Sequence, residues 1–193
     1  MMTKILYLSG EDVRQVGGDD PGVLAPVIEK ALKLHALGGY SQPLKPYLKI
    51  PGDRLNRRIV AMPAYLGGEF QTWGIKWIAS CPDNPRRGTP RASAVIVLND
   101  VETGLPYAIM EGARISAART VAMAIISCKF LARKESRTLA VMGAGLIGRL
   151  AVRSLLAALP MLERVKVYDL LSEKAGALCK SLSPAGQVIC EVS

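Results

Sequence analysis

Residues 138–149 read TLAVMGAGLIGR. Gly143, Gly145 and Gly148 stand in the pattern G-x-G-x-x-G, between a short apolar run and an apolar-periodic stretch. In that setting the pattern is a dinucleotide fingerprint. Gly143 permits a tight turn, Gly145 lets the backbone approach a pyrophosphate, and Gly148 lets helix and strand pack closely. Ala144, Leu146 and Ile147 complete the loop and the helix start, whose N–H groups and positive potential favour phosphate. Asp169 follows Gly148 by 21 residues and offers a carboxylate to both hydroxyls of a ribose. It repels a 2′-phosphate, and Leu170 and Leu171 bring no cation to hold one. The expected cofactor is therefore NAD rather than NADP. The alternative is a doubly wound domain with an unused glycine turn.

A hydride-transferring protein also needs groups that hold its substrate. Lys76, in GIKWIAS, lies between apolar neighbours, and alternation puts Trp73, Ile75 and Trp77 on one face with Lys76 opposite. Both a solvated sheet face and a carboxylate anchor fit that pattern. Arg119 lies in ISAARTVAM. If Ser116 caps the helix, Arg119 and Thr120 fall in its first turn, where anions are favoured. A plain surface arginine is the other reading. Lys45, Lys49, Arg57, Arg58, Arg86, Arg87 and Arg91 crowd the same half of the chain, many of them as surface charges.

Composition removes other classes. Half of the 193 residues are hydrophobic and 21% are charged, enough to bury a core in one large domain or two small ones. No apolar run approaches the roughly 20 residues of a membrane helix. The N-terminus has too few apolar residues for a signal peptide, so a cytoplasmic location is expected. Cys81, Cys128, Cys179 and Cys190 form no C-x-x-C pair and no zinc spacing. His35 is the single histidine, placed near a helix end as a surface residue, so a histidine-rich metal site is excluded. The net charge of +9 raises nucleic acid as a partner, but the cations are scattered and only 5% of residues are aromatic.

The elements that must position these groups follow from periodicity. KILYLS reads as a strand, and Ser9 as a helix cap with Glu11 and Asp12 in the first turn. Asp20-Pro21 opens a second helix that Gly38-Gly39 stops, with Pro26 favouring a start a few residues later. LKPYLKI, RRIVAMPAYL, TWGIKWIAS, ASAVIVLND and PYAIMEG read as a mostly antiparallel sheet with hairpins, and NDVETGLP as the last turn. Residues 111–132 return to helical spacing, with Ile115, Ala118, Val121, Ile125, Cys128 and Ala132 on one face. Then come the strand TLAVM, a helix on Ile147, Leu150, Ser154, Leu155 and Ala158, the strand RVKVYD, the helix SEKAGALCKSL and the strand QVICEV. That alternation is a parallel, doubly wound sheet. The expected class is α/β, with residues 1–118 an α+β substrate and dimerisation domain. Residues 119–193 form a linking helix and an incomplete Rossmann domain.

Taken together, GIKWIAS, LNDVETGLPYAIMEG, ISAARTVAMA and VMGAGLIG resemble the ornithine cyclodeaminase/mu-crystallin family over essentially the whole chain. QPLKPYL, IVAMPAYLGGE, DNP, RASAVIVLND and GAGLIG are similar to one branch of it. That branch oxidises N-(2-amino-2-carboxyethyl)-L-glutamate with NAD, releasing 2-oxoglutarate and L-2,3-diaminopropionate for siderophores. The resemblance implies that Lys76 binds a substrate carboxylate at the reacting centre. It implies that Arg119, beside Thr120, touches both substrate and cofactor, and that Lys45 replaces an upstream carboxylate-binding arginine. The cofactor residues fall on Gly143, Ala144, Gly145, Leu146, Ile147, Gly148 and Asp169. Cyclodeaminases commonly carry glutamine at the position of Ile147 and a small hydroxyl residue near Arg91, so both departures, with Lys45, point to the branch. Its substrate has three carboxylates, matched here by Lys45, Lys76, Arg91 and Arg119.

The general base that the resemblance implies is an aspartate beyond Ser193. The 193 residues therefore read as a truncated copy, a homodimer only when full length, with an unpaired sheet edge. Alone it is expected to bind NAD poorly and to catalyse little. Ornithine cyclodeamination, imino-acid reduction and a non-catalytic ligand-binding protein of the mu-crystallin type are the competing functions.

Overall fold

The computed structural model describes residues 4–182 and 189–192. The chain divides into two units. One holds the N-terminal residues to Asp19 and Glu29–Ser116, the other Asp20–Ile28 and the residues from Ala117 onward.

In the first unit β1 (Leu6–Leu8) runs into α1 (Gly10–Gln15) through the expected cap. The Asp12 N–H donates to Ser9 Oγ, and the Ser9 N–H donates to the Asp12 carboxylate, at 3.3 and 2.8 Å. Helix α2 spans Pro21–Ala36, its residues to Ile28 belonging to the second unit and those from Glu29 to the first. It starts at Pro21, earlier than Pro26 led the sequence reading to favour. Asp20 Oδ1 accepts the N–H groups of Gly22 and Val23, and Pro21 supplies a helical φ at the first position. Pro26 then forfeits one helical bond without ending the helix. Gly38, at φ 78, closes α2. His35 is exposed and stacks on Tyr40 at 3.8 Å, a surface residue as read.

Strands β2 (Tyr40–Ser41), β3 (Tyr47–Lys49), β4 (Arg58–Leu66), β5 (Thr72–Ser80), β6 (Ala92–Asn99) and β7 (Pro106–Glu111) join β1 in a seven-stranded sheet. Its order is β1-β7-β6-β5-β4-β2, with β3 also on β4. All pairs are antiparallel except β1 with β7, which makes the sheet mixed. The turn after β6 is tied by the Asp100 carboxylate, which accepts the Thr103 N–H and hydroxyl at 2.8 and 2.7 Å. Strands β5 and β6 approach so closely that a Cβ on Gly74 would lie 2.2 Å from the Val97 carbonyl oxygen.

The second unit continues from α3 (Ala113–Leu131) into β8 (Thr138–Met142), α4 (Leu146–Ala158), β9 (Arg164–Tyr168), α5 (Ser172–Leu182) and β10 (Ile189–Val192). The three strands are parallel in the order β10-β9-β8, the doubly wound pattern. Gln187 and Val188 of the expected last strand lie outside the described residues. Val165 and Val167 are fully buried and pack with Val152, Ala175, Leu178 and Leu182. On α4 the buried residues are Val152 and Leu155, so the face is rotated from the one read through Ile147 and Leu150. On α3 the core residues are Ala117, Ala118, Val121, Ala122 and Ile126, while Ile115, Ile125 and Cys128 are half-buried.

A disulfide joins Cys179 on α5 to Cys190 on β10, with Cα atoms 5.2 Å apart. Eleven residues of separation match no sequence motif, so the pairing was not legible beforehand. Among the described residues no helix is long and apolar enough to cross a membrane. Nor do they contain a cluster of three or more metal-ligating side chains.

Candidate dinucleotide crevice and carboxylate site

The glycine loop is built at the carboxyl end of β8. The chain turns on Gly143, at φ 103, whose N–H donates to the Tyr168 carbonyl at 2.7 Å. A Cβ on Gly148 would sit 1.9 Å from the Gly143 carbonyl oxygen, so only glycine allows α4 to approach this closely. Gly145 differs. It is the N-cap of α4 in an extended conformation, and a Cβ there would meet nothing within 4 Å. The fold does not require glycine at this position. The open space suits a ligand that approaches the backbone. No side chain caps α4, and its first turn has no acidic residue, so its N–H groups and positive end are of the kind that favours an anion. Leu146 and Ile147 are exposed at this mouth.

Asp169 follows β9 and folds over the loop. Its Oδ2 accepts the Ala144 N–H at 2.7 Å, and its Oδ1 accepts the Leu171 N–H at 2.9 Å. The bonds from Leu171 and Ala144 hold its carboxyl below the usual carboxylate range, and the charges of Lys174 and Arg149 act the same way. Each carboxylate oxygen retains a second lone pair, which a ribose hydroxyl can use. The sequence reading missed Arg149. Its Nε donates to the Ala144 carbonyl at 2.9 Å, so both backbone groups of Ala144 are held. The available signal was a cation directly after the last glycine. Glycine loop, helix end and carboxylate thus stand together at the carboxyl end of β8.

The cations of the first unit are ordered by strand register. Lys76, half-buried at mid-β5, pairs across the sheet with Met62 on β4 and Ile96 on β6. Ile96 pairs with Met110, and Met110 with Leu8, so the row is apolar apart from Lys76. On the other side of β4, the register of β3 ends at Tyr47 opposite Val60, the Ala61 N–H donates to the Pro46 carbonyl at 3.3 Å, and Lys45 lies just before that contact. The strand that Lys45 precedes and the strand that carries Lys76 flank β4 on its two sides, two strand spacings or roughly 10 Å apart. Arg91 is exposed before β6, five residues from Ile96, which is about 16 Å along an extended strand. Lys45 thus flanks the β4 side of the Lys76 row, and Arg91 lies off it.

Ser116 does not cap α3. The helix begins at Ala113, and Glu111 does the capping, its carboxylate accepting the Ala113 and Arg114 N–H groups at 2.6 and 3.1 Å. A carboxylate two residues before a helix outcompetes a hydroxyl one turn inside it. Arg119 consequently lies in the second turn, exposed, and Thr120 is half-buried beside it. The Ser116 hydroxyl accepts instead from Lys76 Nζ at 3.1 Å.

Residues 19–192 match the model of the ornithine cyclodeaminase/mu-crystallin family. The chain belongs to this family. It is 44% identical over 176 residues to N-((2S)-2-amino-2-carboxyethyl)-L-glutamate dehydrogenase of Staphylococcus aureus, covering 90% of this chain and 52% of that protein. Among solved structures, Δ1-pyrroline-2-carboxylate reductase of Thermococcus litoralis, in complex with NADH and L-proline, superposes with a TM-score of 0.87 at 28% identity. That match covers 98% of this family member and 57% of the reductase. An archaeal alanine dehydrogenase dimer with bound NAD gives 0.85 at 32% identity, covering 98% and 56%. The chain spans about half the length of the relatives it matches.

Proposed function

We propose that this family member is the N-terminal portion of an NAD-dependent amino-acid dehydrogenase acting on N-(2-amino-2-carboxyethyl)-L-glutamate. In the overall reaction this substrate, NAD+ and water become 2-oxoglutarate, L-2,3-diaminopropionate, NADH and a proton. The observation that carries the reading is Lys76, half-buried at mid-β5 between Met62 and Ile96, with Lys45 just before β3 on the far side of β4. Two cations so spaced suit a substrate with several carboxylates. The likeness to the S. aureus dehydrogenase supports the choice of substrate.

The residue roles follow. Lys76 holds the carboxylate at the reacting carbon, and Lys45 and Arg91 hold the outer ones. Arg119 and Thr120 serve substrate and cofactor. Gly143–Gly148 receive the pyrophosphate, and Asp169 the ribose. The bound nicotinamide supplies the acceptor for a hydride. The protein's own share is to fix the substrate's orientation, which lowers the entropic part of the barrier. Residues 1–118 form the substrate and dimerisation part, and residues 119–193 begin the NAD-binding part. The archaeal alanine dehydrogenase dimer supports a homodimer, and a cytoplasmic location, where NAD is supplied, accords with the reaction.

The test uses the whole protein with NAD and the glutamate conjugate, following NADH absorbance and quantifying 2-oxoglutarate. Equal yields of both support the reading. Proline from ornithine without NADH build-up would assign a cyclodeaminase instead. Consumption of NADH with a cyclic imino acid would assign a reductase. Ligand binding without turnover of any amino acid would leave a binding protein.

A further inference from the structure

We propose that Ser116 is a positioning residue that aims the Lys76 ammonium at the substrate carboxylate. This rests on the reading of Lys76 as a carboxylate anchor. The contact joins residues 40 positions apart, at 3.1 Å, and is partly buried. It is the product of a tightly determined connection. Strand β7 passes into α3 through Gly112, whose N–H donates to the Ala94 carbonyl at 2.9 Å. A Cβ on Gly112 would come 3.0 Å from Ile96 and 3.2 Å from the Ala94 Cβ, so the connection lies directly on β6. Ile96 is the register partner of Lys76. Glu111 fixes where the helix starts, and the next residues carry Ser116 above that pair.

A lysine side chain is a flexible stem with a point charge, and substrate binding must immobilise it. An ammonium has three N–H donors. One of them points at Ser116, which favours one rotamer of the stem and so one direction for the charge. The flanking Met62, Ile96 and Met110 offer no strong acceptor, so on this row the hydroxyl restricts the direction of the charge. Threonine preserves the hydroxyl at this helical position, whereas alanine removes it.

The experiment compares Ser116→Ala, Ser116→Thr and Lys76→Met with the parent in the whole protein. The measurements are KM and kcat for the amino-acid substrate and for NAD, the thermal midpoint, and calorimetric binding of 2-oxoglutarate. Loss of one charge-assisted hydrogen bond raises the substrate KM about tenfold in S116A. The NAD KM and the thermal midpoint stay near the parent's, and S116T restores the substrate KM. An unmoved substrate KM in S116A would overturn the proposal. So would an S116T as impaired as S116A, or a joint rise of both KM values with lost thermal stability. If no amino acid yields NADH, yet 2-oxoglutarate binding is lost in K76M and weakened in S116A, the dehydrogenase reading falls and the role of Ser116 stands. If NADH forms and S116A equals the parent, the reverse holds. With neither turnover nor Lys76-dependent binding, both fall.

Discussion

Alanine at Gly145 should separate cofactor contact from folding. The backbone there is extended, and the new Cβ meets nothing within 4 Å, so no steric cost arises. The remaining cost is that of alanine instead of glycine at an N-cap, at most about 1 kcal/mol. For a chain of this size that lowers the thermal midpoint by about 2–4 °C. The methyl group, however, stands where a pyrophosphate oxygen would meet the loop. Losing one charge-assisted N–H contact costs about 1.5–3 kcal/mol, which is about 10- to 100-fold in Kd. Gly148→Ala is the control. Its Cβ would fall 1.9 Å from a backbone oxygen that cannot swing away. Loop or helix must shift, at about 1–3 kcal/mol or more, so stability and NAD binding fall together. NAD titration by calorimetry, paired with thermal denaturation of both variants of the whole protein, gives the result. A G145A protein that binds NAD like the parent would refute the crevice. A G148A protein with an unchanged midpoint would refute the packing on which it depends.

Lys76→Met should raise the substrate KM by about tenfold or more while leaving the NAD KM alone. Lys45→Ala should follow and Arg91→Ala should do least, since register leaves Arg91 off the row; steady-state kinetics of the three variants would check that order. Asp169→Asn should weaken NAD about tenfold and narrow the preference over NADP, read by titration of both cofactors. The folded-state pKa of Asp169 lies below its ordinary 3.8, so its contribution is complete above that value and is lost only as pH falls through the folded pKa. The stability difference between parent and D169N should therefore be flat from about pH 8 to pH 5 and shrink in stronger acid. Peptide mapping of non-reduced protein should recover Cys179 linked to Cys190, and Cys179→Ser should remove about 3 kcal/mol or less, by the entropy of an 11-residue separation.

The strands were legible because alternation and punctuation agreed, as in TWGIKWIAS and RVKVYD, where β5 and β9 fall where they were read. The glycine loop was legible because each glycine answers a separate demand, and the Cβ contacts at Gly145 and Gly148 divide as the fingerprint requires. What escaped were competitions between neighbours. Ser116 has the right type for a cap, but Glu111 reaches the same N–H groups with a charged acceptor. Pro26 is a helix breaker, but a capped start with Pro21 outweighs one missing bond. The two-residue β2 has no period to detect, and the parallel pairing of β1 with β7 is a tertiary choice that leaves no local trace.

Burial bears on the two readings of Lys76 that the pattern left open. The alternation in GIKWIAS was read correctly, with Trp73 and Trp77 opposite Lys76. The usual arrangement would then bury the indoles and wet the lysine. The burial is the reverse in degree: Trp73 and Trp77 are 40% and 43% exposed, while Lys76 is half-buried in a row of Met62, Ile96, Met110 and Leu8. A lysine on a purely solvated face would be exposed, whereas the stem of Lys76 is half-buried among apolar neighbours. A lysine meant to attract a carboxylate gains a great deal, since a less hydrated charge in apolar surroundings interacts more strongly with its partner. The inversion therefore weighs against the solvated-face reading and for the anchor. It also explains why the hydroxyl that meets this ammonium comes from a helix rather than from the sheet, whose neighbouring positions on that row are all apolar.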